Sequence, residues 1–493
     1  MSSTRRQLLQ GGAGVCLAAL AGCSAPAWLV PGSGQDARFS APTGRDSDAV
    51  QNLLNRATFG VRPGDRDDLL RLASTPEQAI DAWIAQQLSP GSLDDDACEH
   101  ALARFDSLDQ PVGELYEYKE RVLLRELTSA TVLRAALSHR QLHEVMVHFW
   151  TDHFNIDISK GECAWLKVAD DREVIRRHAL GRFPDLLRAS ALSPAMLWYL
   201  DGRVNRAGAI SEHANENYAR ELLELHTLGV HGGYTQQDVM EAARCLSGWT
   251  VRPKSGFLKA HVAFEAQRHD DGAKSVLGQR FAPGGGAHDI ELLLALVAAH
   301  PATARHIAFK LCRRFIADDP PAAAVDEVAS RFSSSNGDIA ETLRALLGSA
   351  SFRADINAPT SMRAGKLKRP FHLLVSCLRS CDASSNASTA LTDYLTRMGH
   401  APFQFPTPDG YPEAASAWQG TLLWRWQLAS ALAGNRIPGT RIDPHLLRVR
   451  AGGELALSAH LLGRLPDATE EAALRSGADP LALLLASPAF QRC

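Results

Sequence analysis

Apolar residues recur along this chain mostly at intervals of three and four positions, and stretches that alternate apolar and polar residues are rare. The first spacing places apolar side chains on one face of an α-helix, whereas alternation is typical of a half-buried β-strand. The sequence therefore predicts an all-α fold, built as a large multi-helix single domain that could be divided into two lobes. A minor β-hairpin is predicted near residues 257–278.

The most regular pattern lies in residues 211–230, which read SEHANENYARELLELHTLGV. At about 100° per residue, one side of the predicted helix carries mainly apolar residues. These are Ala219, Leu222, Leu223 and His226. A second side carries Asn217, Glu221 and Glu224, and Arg220 lies one turn from both Glu216 and Glu224. The segment thus predicts a helix with an apolar face and a polar face.

The polar face of this helix allows two interpretations. It could be a solvated surface, as the charged sides of most helices are. Alternatively, a second predicted helix, from Gln236 to Trp249, could pack against it and shield Glu221 and Glu224 from water. A shielded pair of carboxylates must bind a cation, pair with arginine or take up a proton. Glu221 and Glu224 are therefore candidate catalytic residues, with Asn217 and Arg220 as candidate binding residues.

Residues 139–154, HRQLHEVMVHFWTDHF, form the second informative stretch. His139, His143, Met146, Trp150 and His153 cluster on one side of a helical projection, whereas His148 lies on the opposite side. Together with Glu221 and Glu224, histidines from this face could bind a divalent metal ion such as zinc, manganese or iron. The alternative is a set of buried histidines that each have a hydrogen-bond partner. The spacing matches neither H-E-x-x-H nor Glu-x-x-His.

Two further segments carry candidate chemistry. His261 to Glu265 alternates like a strand, and the following His269, Asp270 and Lys274 place an imidazole, a carboxylate and an amine close together. Such groups can perform acid and base catalysis, although Asp-Gly sequences also form simple hairpin turns. Asp201 and Arg203 are expected to anchor the loop before residue 211.

The N-terminus is predicted to be an export address. Thr4-Arg5-Arg6-Gln7-Leu8-Leu9 resembles a twin-arginine signal, residues 11–21 form a short apolar region, and Leu20-Ala21-Gly22-Cys23 resembles a lipobox. Residues 1–22 are thus expected to be a signal peptide, and residues 23–46 a flexible tether that is lipidated on Cys23. The helical domain is expected to span residues 47–493. Ser24 favours the outer membrane if the cell has one.

The chain also resembles a known family, the bacterial domain-of-unknown-function family 1800. The resemblance rests on ordered motifs that cover nearly everything after residue 50. These are Leu53-Leu54-Asn55-Arg56-Ala57-Thr58-Phe59-Gly60, Phe149-Trp150 with His153-Phe154, Leu180-Gly181-Arg182-Phe183, Tyr199-Leu200-Asp201, the run NENYARELLELHTLGV, Ser247-Gly248-Trp249, His269-Asp270 with Lys274, and Pro301-Ala302-Thr303-Ala304-Arg305. The chain looks like an exported lipoprotein member of that family.

The resemblance ranks the candidates but implies no established activity. Trp150, His153, Asp201, His269, Asp270, Lys274 and Arg305 fall on family motifs. Arg305 is expected to reach inward to a buried acid or an anionic ligand, while Lys310, Arg313 and Arg314 are expected to be solvated. Relatives are often encoded beside a sulfatase-like exported protein, which implies a possible protein partner.

Composition excludes several classes of function. A net charge of −3 provides no basic surface for nucleic acid. The sequence has no G-x-S-x-G, P-loop or dinucleotide-binding motif. Seven of the nine cysteines lie outside the predicted signal and lipobox, an odd number that cannot pair completely. Because twin-arginine substrates fold in a reducing compartment, the body is expected to be stable without disulfides.

Two hypotheses for function follow from the sequence. In the first, the protein is a metal-assisted enzyme, either a hydrolase or an oxidoreductase, with Glu221, Glu224, His153 and His269 with Asp270 around one cleft. In the second, it is a non-catalytic structural or assembly partner of another exported protein, and the polar helix is a buried network that fixes the fold. The sequence identifies no substrate for either.

Overall fold

The computed structural model describes residues 37–207, 214–253, 256, 258–359, 365–477 and 479–493. The predicted twin-arginine signal and Cys23 lie outside the described residues, as do residues 211–213 of the acidic segment. Among the described residues no single helix is both long and apolar enough to cross a membrane. The helices His288–Ala298 and Pro301–Phe315, which meet at a bend of 62°, pass that test of length and composition only as a pair.

The described part of the chain contains 23 α-helices. Those before residue 250 are α1 (Ala49–Ala57), α2 (Asp65–Leu70), α3 (Pro76–Gln87), α4 (Asp96–Leu102), α5 (Glu120–Leu137), α6 (Gln141–His153), α7 (Cys163–Asp170), α8 (Phe183–Ala191), α9 (Pro194–Tyr199), α10 (Glu216–Glu221) and α11 (Gln236–Cys245). Those after it are α12 (His288–Ala298), α13 (Pro301–Phe315), α14 (Ala322–Ser334), α15 (Ile339–Gly348), α16 (Ala350–Asn357), α17 (Pro370–Ser380), α18 (Thr389–Arg397), α19 (Leu422–Ala433), α20 (Pro444–Ala451), α21 (Glu454–Leu462), α22 (Ala468–Ser476) and α23 (Pro480–Ala486).

Three two-stranded antiparallel sheets also lie among the described residues, together with short 3₁₀ and π-helical segments. β1 (Trp249–Val251) pairs with β2 (Val262–Phe264), β3 (Lys274–Val276) with β4 (Gln279–Phe281), and β5 (Ser384–Ser385) with β6 (Thr440–Arg441). The predicted all-α class with a minor β component is therefore confirmed. The region predicted to hold one hairpin, residues 257–278, contains one strand from each of two pairs. β2 pairs with β1, which precedes the region, and β3 pairs with β4, which follows it.

Local capping explains where several of these helices begin. In α11, Thr235 accepts a hydrogen bond from the Asp238 backbone N–H, and the Asp238 carboxylate accepts one from the Thr235 N–H. This reciprocal arrangement satisfies two donors that a helix N-terminus leaves unpaired. Asp48 and Asp338 cap α1 and α15 in the simpler way, each accepting one backbone N–H.

The predicted apolar face of the acidic segment is buried as expected. Ala219, Leu222, Leu223 and His226 are each 0 % exposed, and burying each leucine stabilises the fold by about 2 kcal/mol. The helix is α-helical only to Glu221, because Leu222–His226 continue it as a π-helical turn. π-helical turns are rare in proteins overall, and those that occur are often found at functional sites. The face itself is thus confirmed, whereas its change of helical pitch was not foreseen.

Helices α6 and α13 carry polar residues that meet in the interior of the protein. The apolar residues of α6, including Met146, Phe149 and Trp150, join one cluster of buried apolar side chains that extends from Phe39 to Phe490. The same part of α6 places His148, Asp152 and His153 against residues from α13 and from the loop after α18. A largely apolar helix therefore introduces three polar groups into the interior.

Candidate functional site

The predicted acidic pair lies half-buried on the outer side of α10 and the π-helical turn. Glu224 accepts a hydrogen bond from the Tyr234 hydroxyl at 3.2 Å. Burial and the nearby Glu224 carboxylate raise the pKa of Glu221, with a further contribution from Asp409 and an opposing one from Arg220. The acids are therefore partly withdrawn from water, and Glu221 holds its proton more tightly than a free glutamate does.

The predicted binding residues on this helix have structural partners. Arg220 pairs with Glu216 at 3.0 Å and donates to the Gln236 side chain at 2.9 Å, which ties α10 to the start of α11. Asn217 donates to the Leu200 carbonyl at 3.0 Å. Both residues thus hold the helix to its neighbours. Their role as binding residues stays a prediction.

The second group of predicted catalytic residues surrounds a buried acid that sequence reasoning did not single out. His269 Nε2 lies 3.1 Å and Lys274 Nζ 2.5 Å from Asp289 Oδ2. The side chains of Lys274 and Asp289 are 0 % and 1 % exposed. His269 Nδ1 also lies 2.8 Å from the Ser247 carbonyl oxygen. These contacts fix hairpin β3–β4 to α12.

Backbone packing around Asp289 is close enough to require glycine. A Cβ at Gly285 would lie 1.9 Å from Asp289 Oδ1, which no real side chain tolerates. Gly285 therefore makes room for the buried acid, whereas Gly284 and Gly286 adopt left-handed backbone conformations, with φ of 82° and 54°.

Asp270 is engaged on the other side of the same hairpin. Arg244 donates to both carboxylate oxygens, from Nε to Oδ2 at 2.8 Å and from Nη2 to Oδ1 at 3.0 Å. These hydrogen bonds from Arg244 lower the pKa of Asp270 to about 2. The two-point contact positions the loop on α11, where Arg244 also pairs with Glu241. Asp270 is thus an ionised anchor at neutral pH.

Asp201 and Trp150 also have structural contacts. Asp201 adopts a left-handed backbone conformation, with φ of 60°, and its carboxylate lies 3.1 Å from Lys160 Nζ. This contact is consistent with the predicted loop anchor. Trp150 is 0 % exposed and its indole N–H donates to the Ala179 carbonyl at 3.0 Å. As binding residues, both stay predictions.

His153 is buried at the end of α6 with both ring nitrogens engaged. Nε2 donates to the His226 carbonyl at 3.1 Å, and Nδ1 accepts from Lys310 Nζ at 2.9 Å. Burial, and then the charge of Lys310, hold the pKa of His153 well below its usual range. The ring is therefore neutral, and a neutral ring that donates from Nε2 has its lone pair on Nδ1.

The predicted ligand set of His153, Glu221 and Glu224 is not assembled. Among the described residues, one group of three or more histidine, cysteine or acidic side chains has ligand atoms all within 4.8 Å of one another, and it contains His148, Asp152 and His400. His153 points into the core, whereas Glu221 and Glu224 occupy the outer, half-exposed side of their helix. The shared face of His139, His143 and His153 does not converge either, because His143 Nε2 faces the Arg176 carbonyl at 3.0 Å.

The His148 group is organised by an arginine. Arg369 donates to Asp152 Oδ2 at 2.7 Å and to His148 Nδ1 at 2.9 Å, and it lies 3.2 Å from Glu413. His400 Nδ1 accepts the Phe371 backbone N–H at 3.3 Å. Burial holds the pKa values of His148 and His400 well below their usual range. A cavity of about 30 Å³ adjoins the group, enough to hold a water molecule.

These contacts fit a hydrogen-bond network better than a metal centre. A guanidinium in contact with two of the three groups repels a second cation. A neutral imidazole that accepts at Nδ1 carries its proton on Nε2 and has no lone pair there. The spacing of His148 and Asp152, one helical turn apart, was the signal available in the sequence. The helical projection hides this signal, because His148 lies opposite the other histidines.

A larger cleft opens on the other side of His153. Its volume is about 670 Å³, which is in the range of small-molecule sites. Lys310 and His153 lie on its wall together with His306 and Asp409. The apolar part of the lining includes Leu225, Leu228, Val230, Phe309, Pro320 and Val325. The π-helical turn and the loop after it therefore supply one side of the cleft, and α13 supplies the other.

Three basic residues of α13 lie differently from the expectation, and Lys310 is the first of them. It was expected to be solvated, yet it reaches His153, and burial lowers its pKa to about 8 even though Asp152, Glu413 and Asp409 favour the charged form. Arg314, also expected to be solvated, is buried. Conversely, the Arg305 side chain is 60 % exposed and pairs with Asp326 at the surface.

The geometry of a helix explains why Lys310 and Arg314 point inward while Arg305 points outward. Residues five apart on an α-helix point about 140° away from each other, whereas residues four apart share a face. Lys310 and Arg314 therefore lie on one side of α13, with His306, and Arg305 lies on the opposite side. Arg305 does not reach inward to a buried acid, although it borders the cleft, and its role in binding stays a prediction.

Comparison with known proteins adds the family but no activity. No curated protein and no solved structure matches the chain. A family model with the description "Protein of unknown function (DUF1800)" matches residues 52–492. This range covers all the elements that line the cleft and the network around Arg369, so the chain belongs to the DUF1800 family.

Proposed function

We propose that this protein is an exported, lipid-anchored enzyme that performs acid–base chemistry, with Lys310 as the proton-transferring group. We favour a hydrolase. The observation that supports this most is the hydrogen bond between Lys310 Nζ and His153 Nδ1, 2.9 Å long, on the wall of a cleft of about 670 Å³.

The state of Lys310 suits this role. An amine with a pKa of about 8 is partly unprotonated at neutral pH, and a general base works best when its pKa lies near the working pH. The lone pair of His153 Nδ1 holds the amine in place, because Nε2 is fixed on the His226 carbonyl. In hydrolysis, the neutral amine accepts a proton from water while the water oxygen attacks the substrate. The resulting ammonium then returns the proton to the leaving group.

Competitive acetylation of the folded protein over a range of pH, read by mass spectrometry, tests the state of Lys310. Its labelling rate is expected to rise to half its maximum near pH 8. The proposal fails if Lys310 is protected from the reagent at every pH or if its labelling shows no midpoint near pH 8.

Turnover provides the second test. A panel of chromogenic acyl esters and phosphate monoesters is expected to contain substrates whose turnover falls by roughly 100-fold or more in Lys310→Met, the usual size of a general-base contribution. The surface variant Lys119→Met is the matched control and is expected to keep full turnover. Equal turnover in Lys310→Met and the native protein would remove Lys310 from the mechanism.

Export and anchoring are proposed on the sequence alone. Arg5 and Arg6 match a twin-arginine signal, and Cys23 a lipidation site, with Ser24 favouring the outer membrane of a Gram-negative cell. The protein would then act in the periplasm or at the cell surface. Fractionation tests this: Arg5→Lys with Arg6→Lys should retain the chain in the cytoplasm, and Cys23→Ala should export it without membrane attachment. Equal membrane recovery of the native chain and Cys23→Ala would contradict anchoring through this cysteine.

A second function, as a structural partner of another exported protein, is favoured by a separate observation. The predicted catalytic residues His269, Asp270 and Lys274 are all committed to contacts that fix one hairpin. Elemental analysis of natively exported protein separates this function from a metal-assisted enzyme. Stoichiometric metal that is lost in Glu221→Ala or Asp152→Asn supports a metal-assisted enzyme, while a metal-free protein leaves the partner and the metal-independent chemistry of Lys310, which the turnover panel separates.

A further inference from the structure

We propose that the cleft beside Lys310 binds an anionic amphiphile, a molecule with one carboxylate or phosphate head and an apolar body. This inference rests on the proposed function, because it names the class of ligand that the same cleft takes. It is drawn from the distribution of charge and of apolar surface along the walls of the cleft.

The charged lining is mainly cationic. Lys310, Arg313 and Arg305 face one acid of the lining, Asp409. The two histidines beside Lys310 do not add positive charge at neutral pH, since burial lowers the pKa of His306 to about 4 and holds that of His153 well below its usual range. Arg305 is offset by its pair with Asp326. An anion is therefore the head group that the remaining charges favour.

Arg313 is the cation best placed to meet a ligand. Its Nε donates to the Asp318 carbonyl at 2.9 Å, and its guanidinium lies over the Phe309 ring at 4.5 Å. Within the part of the chain that the structure describes, no carboxylate forms an ion pair with Arg313. The terminal nitrogens of a guanidinium held in one plane can donate two parallel hydrogen bonds to a carboxylate or phosphate.

The apolar lining gives the ligand its second property. Leu225, Leu228 and Val230 line the side formed by the π-helical turn and its loop, and Phe309 and Val325 line the side formed by α13 and α14. Val230 is 57 % exposed, which leaves apolar surface in contact with water. A small hydrophilic anion would bury none of this surface. An apolar body that covers it gains about 25 cal/mol for each Å² removed from water.

Isothermal titration calorimetry with the full-length Cys23→Ala chain, prepared without detergent, tests the inference. The probes are decanoate, decyl phosphate, decyltrimethylammonium and the short anions acetate and methyl phosphate. Both decyl anions, or one of them, are expected to bind at least about tenfold more tightly than the ammonium and the short anions, which is about 1.4 kcal/mol. A preference between decanoate and decyl phosphate identifies the head group.

Variants assign the binding to this cleft. Arg313→Gln is expected to weaken binding of the decyl anions by about tenfold or more, whereas Arg344→Gln, which changes an exposed arginine on α15, should leave it unchanged. Equal binding of the decyl cation, or native affinity in Arg313→Gln, would overturn the inference.

The same samples test the ligand class separately from the acid–base role of Lys310. A bound decyl anion is expected to protect Lys310 from acetylation. If Lys310 titrates near pH 8 but no decyl anion binds, the ligand class is wrong and the acid–base role of Lys310 stands. If decyl anions bind and Lys310 does not titrate near pH 8, the cleft binds the ligand without the proposed chemistry.

Discussion

Lys310 Nζ donates to His153 Nδ1 at 2.9 Å and joins two helices, α6 and α13, whose contacting residues are 157 positions apart in the chain. Three carboxylates near this pair, those of Asp152, Glu413 and Asp409, are not hydrogen-bonded to Lys310, yet they favour its charged form. The pKa of the amine is therefore set by burial, which lowers it, and by nearby negative charge, which raises it. A substitution that changes either contribution should change the pKa.

Replacing Asp409 with asparagine should lower the pKa of Lys310 below about 8, because Asp409 is one of the carboxylates that raise it. The change keeps the shape of the side chain and removes its charge. The measurement is the pH at which acetylation of Lys310 reaches half its maximal rate. Asp326→Asn is the control, because Asp326 pairs with Arg305 at the surface. An unchanged titration in Asp409→Asn would show that the charge of Asp409 does not contribute to the pKa of Lys310.

Buried neutral histidines should make the protein sensitive to mild acid. Burial lowers the pKa of His226 to about 3 and those of His306 and His460 to about 4, and it holds those of His148, His153, His372 and His400 well below the usual range. Below about pH 6.5 the unfolded chain takes up protons that the folded chain does not, so the free energy of unfolding falls as pH falls.

The expected loss is on the order of 1 kcal/mol per histidine per pH unit below about 6.5. Urea unfolding at pH 7.5 and 5.5 measures it. Ion-paired carboxylates such as Asp270, whose pKa is lowered to about 2, lose their contribution only at lower pH and do not confuse the comparison. Equal midpoints at the two values of pH would contradict the neutral state of these rings.

His226→Leu should stabilise the protein. His226 is 0 % exposed, and neither ring nitrogen has a hydrogen-bond partner among the described residues. An unsatisfied buried polar group costs about 1–3 kcal/mol, so leucine is expected to raise the free energy of unfolding by about 1 kcal/mol after allowance for the change in shape. Thermal unfolding at pH 7.5 measures the effect.

His460→Leu is the matched control for this substitution. His460 is also buried, but its Nε2 donates to the Ser380 carbonyl at 3.2 Å, and leucine would leave that oxygen unpaired. His460→Leu should therefore destabilise the protein. If both leucine variants shift the melting temperature in the same direction, hydrogen bonding does not distinguish the two sites.

Asp289 should matter more for stability than Asp270, although only Asp270 was a candidate catalytic residue. Asp289→Asn leaves the fully buried Lys274 without its acid, and breaking a buried pair costs about 3–5 kcal/mol. Asp270→Asn weakens a half-exposed contact with Arg244 and should cost about 1 kcal/mol. Urea unfolding of both variants tests the order. The reverse order would show that the hairpin is held mainly by Arg244.

The sequence by itself determined the helical class, the family and the buried side of the acidic helix. Ala219, Leu222, Leu223 and His226 could be assigned to one face because helical periodicity is local: a side chain's direction depends on the backbone within a turn or two. The motif residues His269 and Lys274 were also correctly placed close together, since they are five positions apart in the chain.

Only the tertiary structure decided which polar groups meet. Asp289 lies between His269 and Lys274, Arg369 lies between His148 and Asp152, and Lys310 reaches His153. No periodicity encodes these partners, because each pair is set by how helices distant in the chain pack, and a rotation of one helix exchanges an inward residue such as Lys310 for an outward one such as Arg305. The chain fixes each helix face locally, while the partner of a buried charge depends on packing across the whole interior.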